Sequence, residues 1–397
     1  MLRRIARLIV DGALGAASGA LAGLASFVFL EALEVVTDVR VEHGWLIWLL
    51  PVAGLVIGLV TRSVGHRAAG GTALAVGEAR RYGDGVPAVM APFVLLGTLL
   101  GHLVGASVGR EGTAVQMSSS ITEAAARLGR VDRDRRAVLA RAALGGGFGS
   151  VFGVPWAGVV FALEASRRPT LRTVVAAAAA SFVGHAVVVG LGHEHAARPQ
   201  LDLPVGPLLP VQLLVAGLLF GITARLFHSG LTRARRRFVR HVGQPVMRPV
   251  IGGALTLGLA LVVGRDALGL SLPLVDEALS GAELAWWMPW LKLLLTVLAL
   301  GSGFVGGEVT PLFVVGATLG AVAASAVGMP QAALASIGLV SVFGAAARVP
   351  FTSAVMAAEL FGWQALLPAL VVTWVARAVA GRRGLYDRGS GAGASAR

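Results

Sequence analysis

Gly109-Arg110-Glu111-Gly112-Thr113 sets a carboxylate and a guanidinium between two glycines, deep in a run of otherwise apolar residues. His102 to Gly109 leads into it, and Thr113-Ala-Val-Gln-Met leads out along a helix-compatible pattern. An ionised carboxylate in lipid is expensive, so a glutamate kept there is a functional residue by default. Composition decides whether the surroundings are lipid. Of 397 residues, 56% are hydrophobic and 14% charged, and the mean hydropathy is +0.77. An ordinary soluble domain and a disordered chain are both excluded. Apolar stretches approaching or reaching the ~20 residues that cross a bilayer as a helix occur at Leu14–Leu33, Trp45–Val60, Val86–Gly105, Leu171–Leu191, Val211–Leu231 and Trp286–Gly303. The chain reads as an all-α polytopic membrane protein.

The net charge of +13 resembles a nucleic-acid signal, but its placement argues otherwise. Lys292 is the only lysine, and most arginines sit in short segments between apolar runs, which by the positive-inside rule face the cytoplasm. No nucleic-acid partner is expected. With no cysteine there is no disulfide framework and no thiol chemistry. Met1-Leu-Arg-Arg resembles the start of a secretory signal, but the apolar run behind it is too long and reads as a signal-anchor span.

The second half of the chain repeats the first. Pro51-Val-Ala-Gly matches Pro249-Val-Ile-Gly, and Gly70 to Glu78-Ala79 matches Gly269 to Glu277-Ala278. Gly109-Arg-Glu111-Gly-Thr113 matches Gly306-Gly-Glu308-Val-Thr310, and Val154-Pro155…Glu164 matches Val349-Pro350…Glu359. The offsets stay between 195 and 199 residues. Arginine bias alternates between matched loops: the segment around Arg233–Arg248 is rich where Val39–Gly44 is poor, whereas Arg127–Arg141 and Arg167, Arg168, Arg172 oppose uncharged counterparts. Matched loops therefore lie on opposite sides, and the repeats are inverted. The expected organisation is a first membrane repeat at 1–200, a second, inverted one at 201–386, and a polar tail at 387–397. Both termini fall on the cytoplasmic side of the cell membrane.

Inverted repeats place a substrate site near the midplane, built from broken helices whose N-termini point at the ligand. Three segments combine glycine with the start of a helical pattern: Gly70-Gly71-Thr72, Gly109–Gly112 and Gly306-Gly307-Glu308. Free N–H groups and the helix dipole at such starts favour an anion. Small residues also let membrane helices pack closely, and that alone explains many glycine pairs. A glutamate inside two repeat-related segments favours the anion site.

Gly-Arg-Glu-Gly-Thr-Ala-Val-Gln-Met resembles the glutamate-bearing motif of the CLC anion channel and transporter family. Gly307-Glu-Val-Thr-Pro-Leu-Phe313 is similar to that family's second glycine–proline motif, and Gly384-Leu-Tyr386 lies where it carries a central tyrosine. The resemblance runs in motif order from about residue 45 to Tyr386, and implies a homodimer with one anion pathway per subunit. Chloride members usually follow the glutamate with Gly-Pro, where this chain has Gly112-Thr113; the second motif usually carries apolar residues, where this chain has Glu308 and Thr310. Both departures resemble the fluoride–proton antiporter branch. The filter, usually built on a serine, is here Gly70-Gly71-Thr72-Ala73-Leu74. A second, inner glutamate of chloride–proton exchangers has Glu164 one position off, so its proton role is not carried over.

The resemblance thus implies fluoride export in exchange for protons, with Glu111 as the moving, proton-linked gate. The anion would be bound by Gly71, Thr72, Gly112, Thr113, Glu308, Val309, Thr310, Phe313 and Tyr386. Glu308 either holds a proton and donates a hydrogen bond to fluoride or carries the proton inward. The alternative on the same architecture is a chloride channel or chloride–proton antiporter. No metal and no cofactor is expected.

Other patterns are weaker. Gly105-Ala-Ser107-Val-Gly109 fits a nucleophile elbow, but His102 is off the Ser107 helix face. Gly301-Ser-Gly303-Phe-Val-Gly306 has the glycine spacing of a dinucleotide loop without a preceding strand. His193-Glu194-His195 falls in an outer loop and reads as a solvated segment rather than a metal site. Glu164 and Glu359, each nine residues after a proline, either cap helices or line the dimer surface. Tyr386 near a span end could equally be an interfacial anchor.

Overall fold

Lipid offers no partners to a bare backbone, so the apolar runs must fold as helices. The computed structural model describes residues 1–166, 169–204 and 206–387, side chains of residues 64–66 excepted. Arg167, Arg168 and residues 388–397 of the tail lie outside the described residues. Among the described residues there are sixteen α-helices and no named strand. The first half holds α1 (Leu2–Glu42), α2 (Leu50–Ala68), α3 (Gly71–Arg80), α4 (Met90–Leu103), α5 (Glu111–Leu128), α6 (Arg133–Phe152), α7 (Pro155–Ala165) and α8 (Leu171–Gly190). The second holds α9 (Leu209–His241), α10 (Met247–Val263), α11 (Leu272–Ser280), α12 (Met288–Ser302), α13 (Val309–Val327), α14 (Gln331–Ala347), α15 (Pro350–Phe361) and α16 (Leu366–Ala380).

The expected spans hold in part. Leu14–Leu33 and Val211–Leu231 lie inside the longer α1 and α9, and Leu171–Leu191 coincides with α8. Trp45–Val60 opens on a 3-10 turn, Gly44–Leu49, before α2 begins. Val86–Gly105 and Trp286–Gly303 do not make full spans. Helix occupies only 14 and 15 residues of them, about 21–23 Å at 1.5 Å per residue, short of the ~30 Å hydrocarbon core. Each ends where glycine takes a left-handed conformation, at Gly105 (φ +89°) and Gly303 (φ +110°). Conversely, Val309–Val327 and Trp363–Ala380, outside the six expected stretches, are long and apolar enough to cross.

The arginines assigned to loops are largely helical. Arg233, Arg235, Arg236, Arg237 and Arg240 form the last turns of α9, and Arg133 to Arg141 the first turns of α6. Arginine is a good helix former, and its long stem carries the charge away from the apolar surface.

Helices approach closely through small residues. On α1, Gly15, Gly19 and Gly23 meet the backbone of Ala176, Ala180 and Gly184 on α8; a Cβ at Gly19 would stand 2.3 Å from Ala180 O. On α13, a Cβ at Gly316 would stand 2.0 Å from Gly338 O on α14.

The short helices α7 and α15 cap each other. Glu164 at the end of α7 accepts from Phe351 N (3.2 Å), Thr352 N (2.9 Å) and Thr352 Oγ1 (2.8 Å) at the start of α15. Glu359 at the end of α15 accepts from Trp156 N (2.9 Å) and Ala157 N (2.7 Å) at the start of α7. Each carboxylate satisfies orphan N–H groups and opposes a positive helix end. Of the two roles open to these glutamates, capping is the one their contacts display.

Candidate anion site

The three glycine-marked segments are all helix starts: α3 begins at Gly71, α5 at Glu111 and α13 at Val309. They also converge. Gly109 N donates to Gly307 O at 2.6 Å and Gly307 N to Gly109 O at 2.8 Å, a two-bond bridge between matched segments of the two halves. A Cβ at Gly112 would stand 2.7 Å from Gly307 Cα and 2.9 Å from Thr72 Oγ1, so all three starts meet at this residue. Gly71 has φ +62°, a left-handed turn that lets α3 begin directly behind α2.

Glu111 is 1% exposed and its carboxylate sits on the start of α13. Oε2 accepts from Thr310 N (3.0 Å) and from the Thr310 hydroxyl, while Oε1 faces Arg110 Nε at 3.3 Å. The Thr310 hydroxyl in turn accepts from Arg110 N at 3.2 Å, so its one proton points at Glu111. An anionic group thus occupies a helix N-terminus and is held by three donors.

The other expected site residues divide. Thr72 is buried, and its hydroxyl accepts from Gln116 Nε2 at 3.2 Å, leaving its proton free for another acceptor. Val309 and Phe313 are buried on the first two turns of α13. Phe313 packs on Phe152 (5.1 Å between centroids) and edge-on to Phe343 (5.5 Å). Thr113 does not present its hydroxyl to the site; it pairs with Thr98 on α4 at 2.8 Å. Glu308 and Tyr386 are buried and face each other without hydrogen-bonding geometry: Glu308 Oε1 and the Tyr386 hydroxyl have no partner among the described residues. Arg235 on α9 lies within electrostatic reach of Glu308.

Gln116 was not singled out from the sequence. It lies one helical turn beyond Gly112, on the same face, and that spacing could have identified it.

The decoys resolve structurally. Ser107 Oγ pairs with Thr296 Oγ1 at 2.9 Å, and the nearby His102 is buried with Nε2 unpartnered, so no base addresses the serine. His193 and His195 do meet edge-on (5.3 Å between centroids), with Glu31 on His193 Nδ1 at 2.9 Å. Among the described residues no group of three or more donors is arranged to hold a metal. Lys292 is fully buried and donates to Ala267 O (3.1 Å), Gly269 O (2.6 Å) and Ser271 Oγ (3.0 Å). It ties α12 to the loop before α11.

Comparison with known proteins extends these observations. The profile of the family described as voltage gated chloride channels (Voltage_CLC) matches residues 53–381. The chain is 38% identical over 386 residues to a "chloride/fluoride channel protein" of Pseudomonas syringae pv. tomato, covering 92% of this chain and 83% of that protein. It is 28% identical over 393 residues to the "H(+)/Cl(-) exchange transporter ClcA" of Vibrio cholerae, covering 89% and 82%. A solved "CLC-type fluoride/proton antiporter" superposes with a TM-score of 0.89 at 31% identity, over 94% of this chain and 95% of that one. A slow cyanobacterial Cl⁻/H⁺ antiporter superposes at 0.80 with 18% identity, over 96% of each chain, a likeness of fold.

Proposed function

Because this chain belongs to the CLC family of anion channels and transporters, we propose that it exports fluoride in exchange for protons, with Glu111 as the moving gate. One observation carries the proposal. The Glu111 carboxylate is itself seated as an anion on the α13 N-terminus, held by Thr310 and Arg110. Hydrogen bonds to a charged group contribute about 1.5–3 kcal/mol each, so an ionised Glu111 competes strongly with a mobile anion for the same donors. Protonation removes that charge and frees the Thr310 N–H and hydroxyl for fluoride. Each passage of the anion is then linked to a proton on Glu111, in the opposite direction.

Fluoride is small and strongly hydrated, and needs good donors to replace its water. Thr310, the free proton of Thr72 and the amides of Gly71, Gly112, Thr113 and Val309 supply them. Thr113 contributes through its amide, its hydroxyl being engaged by Thr98. Glu308 and Tyr386 complete the inner end of the path. A buried carboxylate oxygen without a donor is costly as an anion, which supports a Glu308 that carries a proton. Phe313 walls the site and keeps water from bypassing the gate. The relative named for chloride and fluoride and the fluoride/proton antiporter fold support this branch.

The orientation follows the arginines: both termini cytoplasmic, in the cell membrane. Residues 1–200 and 201–386 act as inverted repeats, a reading supported by the Gly109–Gly307 bridge and the reciprocal caps, which join matched segments. The assembly is a homodimer, one pathway per subunit.

Efflux from proteoliposomes, with fluoride and interior pH recorded together, tests the proposal. Fluoride leaves faster than chloride and protons enter as it does; Glu111→Gln abolishes the proton movement. Chloride moving as fast as fluoride returns the chain to the chloride branch, and coupling that persists in Glu111→Gln removes the gate.

A further inference from the structure

A second charged site lies well away from Glu111, where the α3–α4 connection meets the end of α5 and the start of α6. It is an open pocket of about 430 Å³, and its charged lining is Arg67, Asp84, Glu123, Arg127, Arg133 and Arg136. Glu78, beneath it, is committed: it accepts from Gly83 N (2.7 Å) and Gly85 N (3.1 Å) and fixes the connection. Arg67 is bound to Asp84 (2.8 Å) and to Gly85 O (2.8 Å). Glu123, 5% exposed, accepts from the Tyr82 hydroxyl (2.9 and 2.8 Å), Arg127 Nε (2.6 Å) and Arg136 Nη1 (3.3 Å). Burial and the neighbouring Glu123 push the Tyr82 hydroxyl up to about 12, so it stays a donor.

After these pairings, the guanidiniums of Arg133 and Arg136 keep donors to give. Arg136 Nε is buried without a partner among the described residues. Arg133 is exposed, and its one hydrogen bond among the described residues, to Tyr82 O, is long at 3.5 Å. Both lie over the same Tyr82 ring, at 5.8 and 5.7 Å from its centroid. They sit at positions i and i+3 of α6, where like charges repel. A shared anion between them relieves that repulsion. The volume falls within the range of small-molecule pockets and far exceeds a halide. Val86, Pro87 and Ala88 give it an apolar wall.

We propose that this pocket binds a phosphate group through Arg133 and Arg136. Guanidinium forks match phosphate oxygens bidentately, and basic pockets between membrane helices suit lipid headgroups. An anionic phospholipid headgroup and a free phosphate or soluble phosphomonoester share this chemistry. Either would tie the far ends of α3 and α5, the two helices whose starts carry Thr72 and Glu111.

The test uses the full chain in detergent, with phosphatidylglycerol, phosphatidylcholine and inorganic phosphate as probes. Retained lipid is counted by native mass spectrometry, and phosphate binding is read as a rise in Tm. Arg133→Gln removes the exposed fork without touching a buried partner; Arg133→Lys keeps the charge but loses the fork. Arg237→Gln, on the exposed end of α9, is the control. The expected result is phosphatidylglycerol retained in preference to phosphatidylcholine, weakened about tenfold or more in Arg133→Gln, partly restored in Arg133→Lys and unchanged in Arg237→Gln. Loss of the phosphate-induced Tm rise in Arg133→Gln, with lipid retention equal to wild type, supports the soluble source. Equal lipid retention and equal phosphate response in wild type and Arg133→Gln overturns the proposal.

Discussion

Thr310→Val isolates the competition between carboxylate and anion. Valine keeps the shape of threonine and removes the hydroxyl that donates to Glu111 Oε2 and accepts from Arg110 N; the Thr310 N–H, at 3.0 Å from the carboxylate, stays. The hydroxyl serves the carboxylate and, once Glu111 withdraws, fluoride, and a hydrogen bond to a charged group contributes about 1.5–3 kcal/mol. At about 1.4 kcal/mol per tenfold, its loss should weaken fluoride binding roughly ten- to hundredfold in a Glu111→Gln background, where no carboxylate competes. With Glu111 present the hydroxyl is lost to both competitors, and the apparent fluoride affinity should fall much less. The assay is the fluoride dependence of initial efflux from proteoliposomes, for Thr310→Val and its parent in both backgrounds. A folded Thr310→Val with the same loss in both backgrounds refutes the argument, because the hydroxyl would then contribute nothing to seating the gate.

The reciprocal caps predict non-additivity. Glu164→Ala and Glu359→Ala should each cost about 1 kcal/mol, and the double variant should differ from their sum because both act on the α7–α15 pair; thermal unfolding in detergent reads this. Gly316→Ala, whose methyl would meet Gly338 O, should destabilise by about 1–3 kcal/mol. Gly258→Ala on α10 meets nothing within 4 Å and should gain about 0.5–1 kcal/mol; equal Tm values for the two variants would contradict the packing argument. A serine-directed phosphonate should leave Ser107 unlabelled, since Thr296 and not a histidine bonds its hydroxyl; labelling seen by mass spectrometry would make the Ser107 segment a working nucleophile elbow.

What was legible in the sequence follows how much each feature costs. A glutamate amid apolar residues is conspicuous, and Glu111, Gly112, Thr72 and Thr310 do meet at the convergence of three helix starts. Glycine ahead of a helical pattern marked all three. Helix length was less legible, because hydropathy does not record where the backbone turns away: Gly105 and Gly303 end α4 and α12 inside stretches that stay apolar. Gln116 was silent for the opposite reason. A glutamine in a helix is unremarkable until its amide is seen to reach Thr72 across to another helix. Thr113 was noticed for its position, but no spacing rule could show that its hydroxyl turns to Thr98.

The pairing of Glu111 with Glu308 makes the same point about symmetry. Matched positions in a duplicated chain suggest matched roles, yet the two carboxylates differ in the quantity that decides a gate. Glu111 is met by an amide, a hydroxyl and a guanidinium, whereas Glu308 has an oxygen with no donor among the described residues. The amide and the hydroxyl come from the partner segment. Thr310 follows Glu308 by two residues and reaches back to Glu111, while the equivalent Thr113 is bound to Thr98. Swapping the contributions tests this directly: Thr98→Val frees the Thr113 hydroxyl. If hydroxyl supply alone distinguishes the two glutamates, that variant should change the dependence of fluoride flux on Glu308, read as the flux ratio of Glu308→Gln to its parent. An unchanged ratio would place the asymmetry in the backbone geometry of the two helix starts instead.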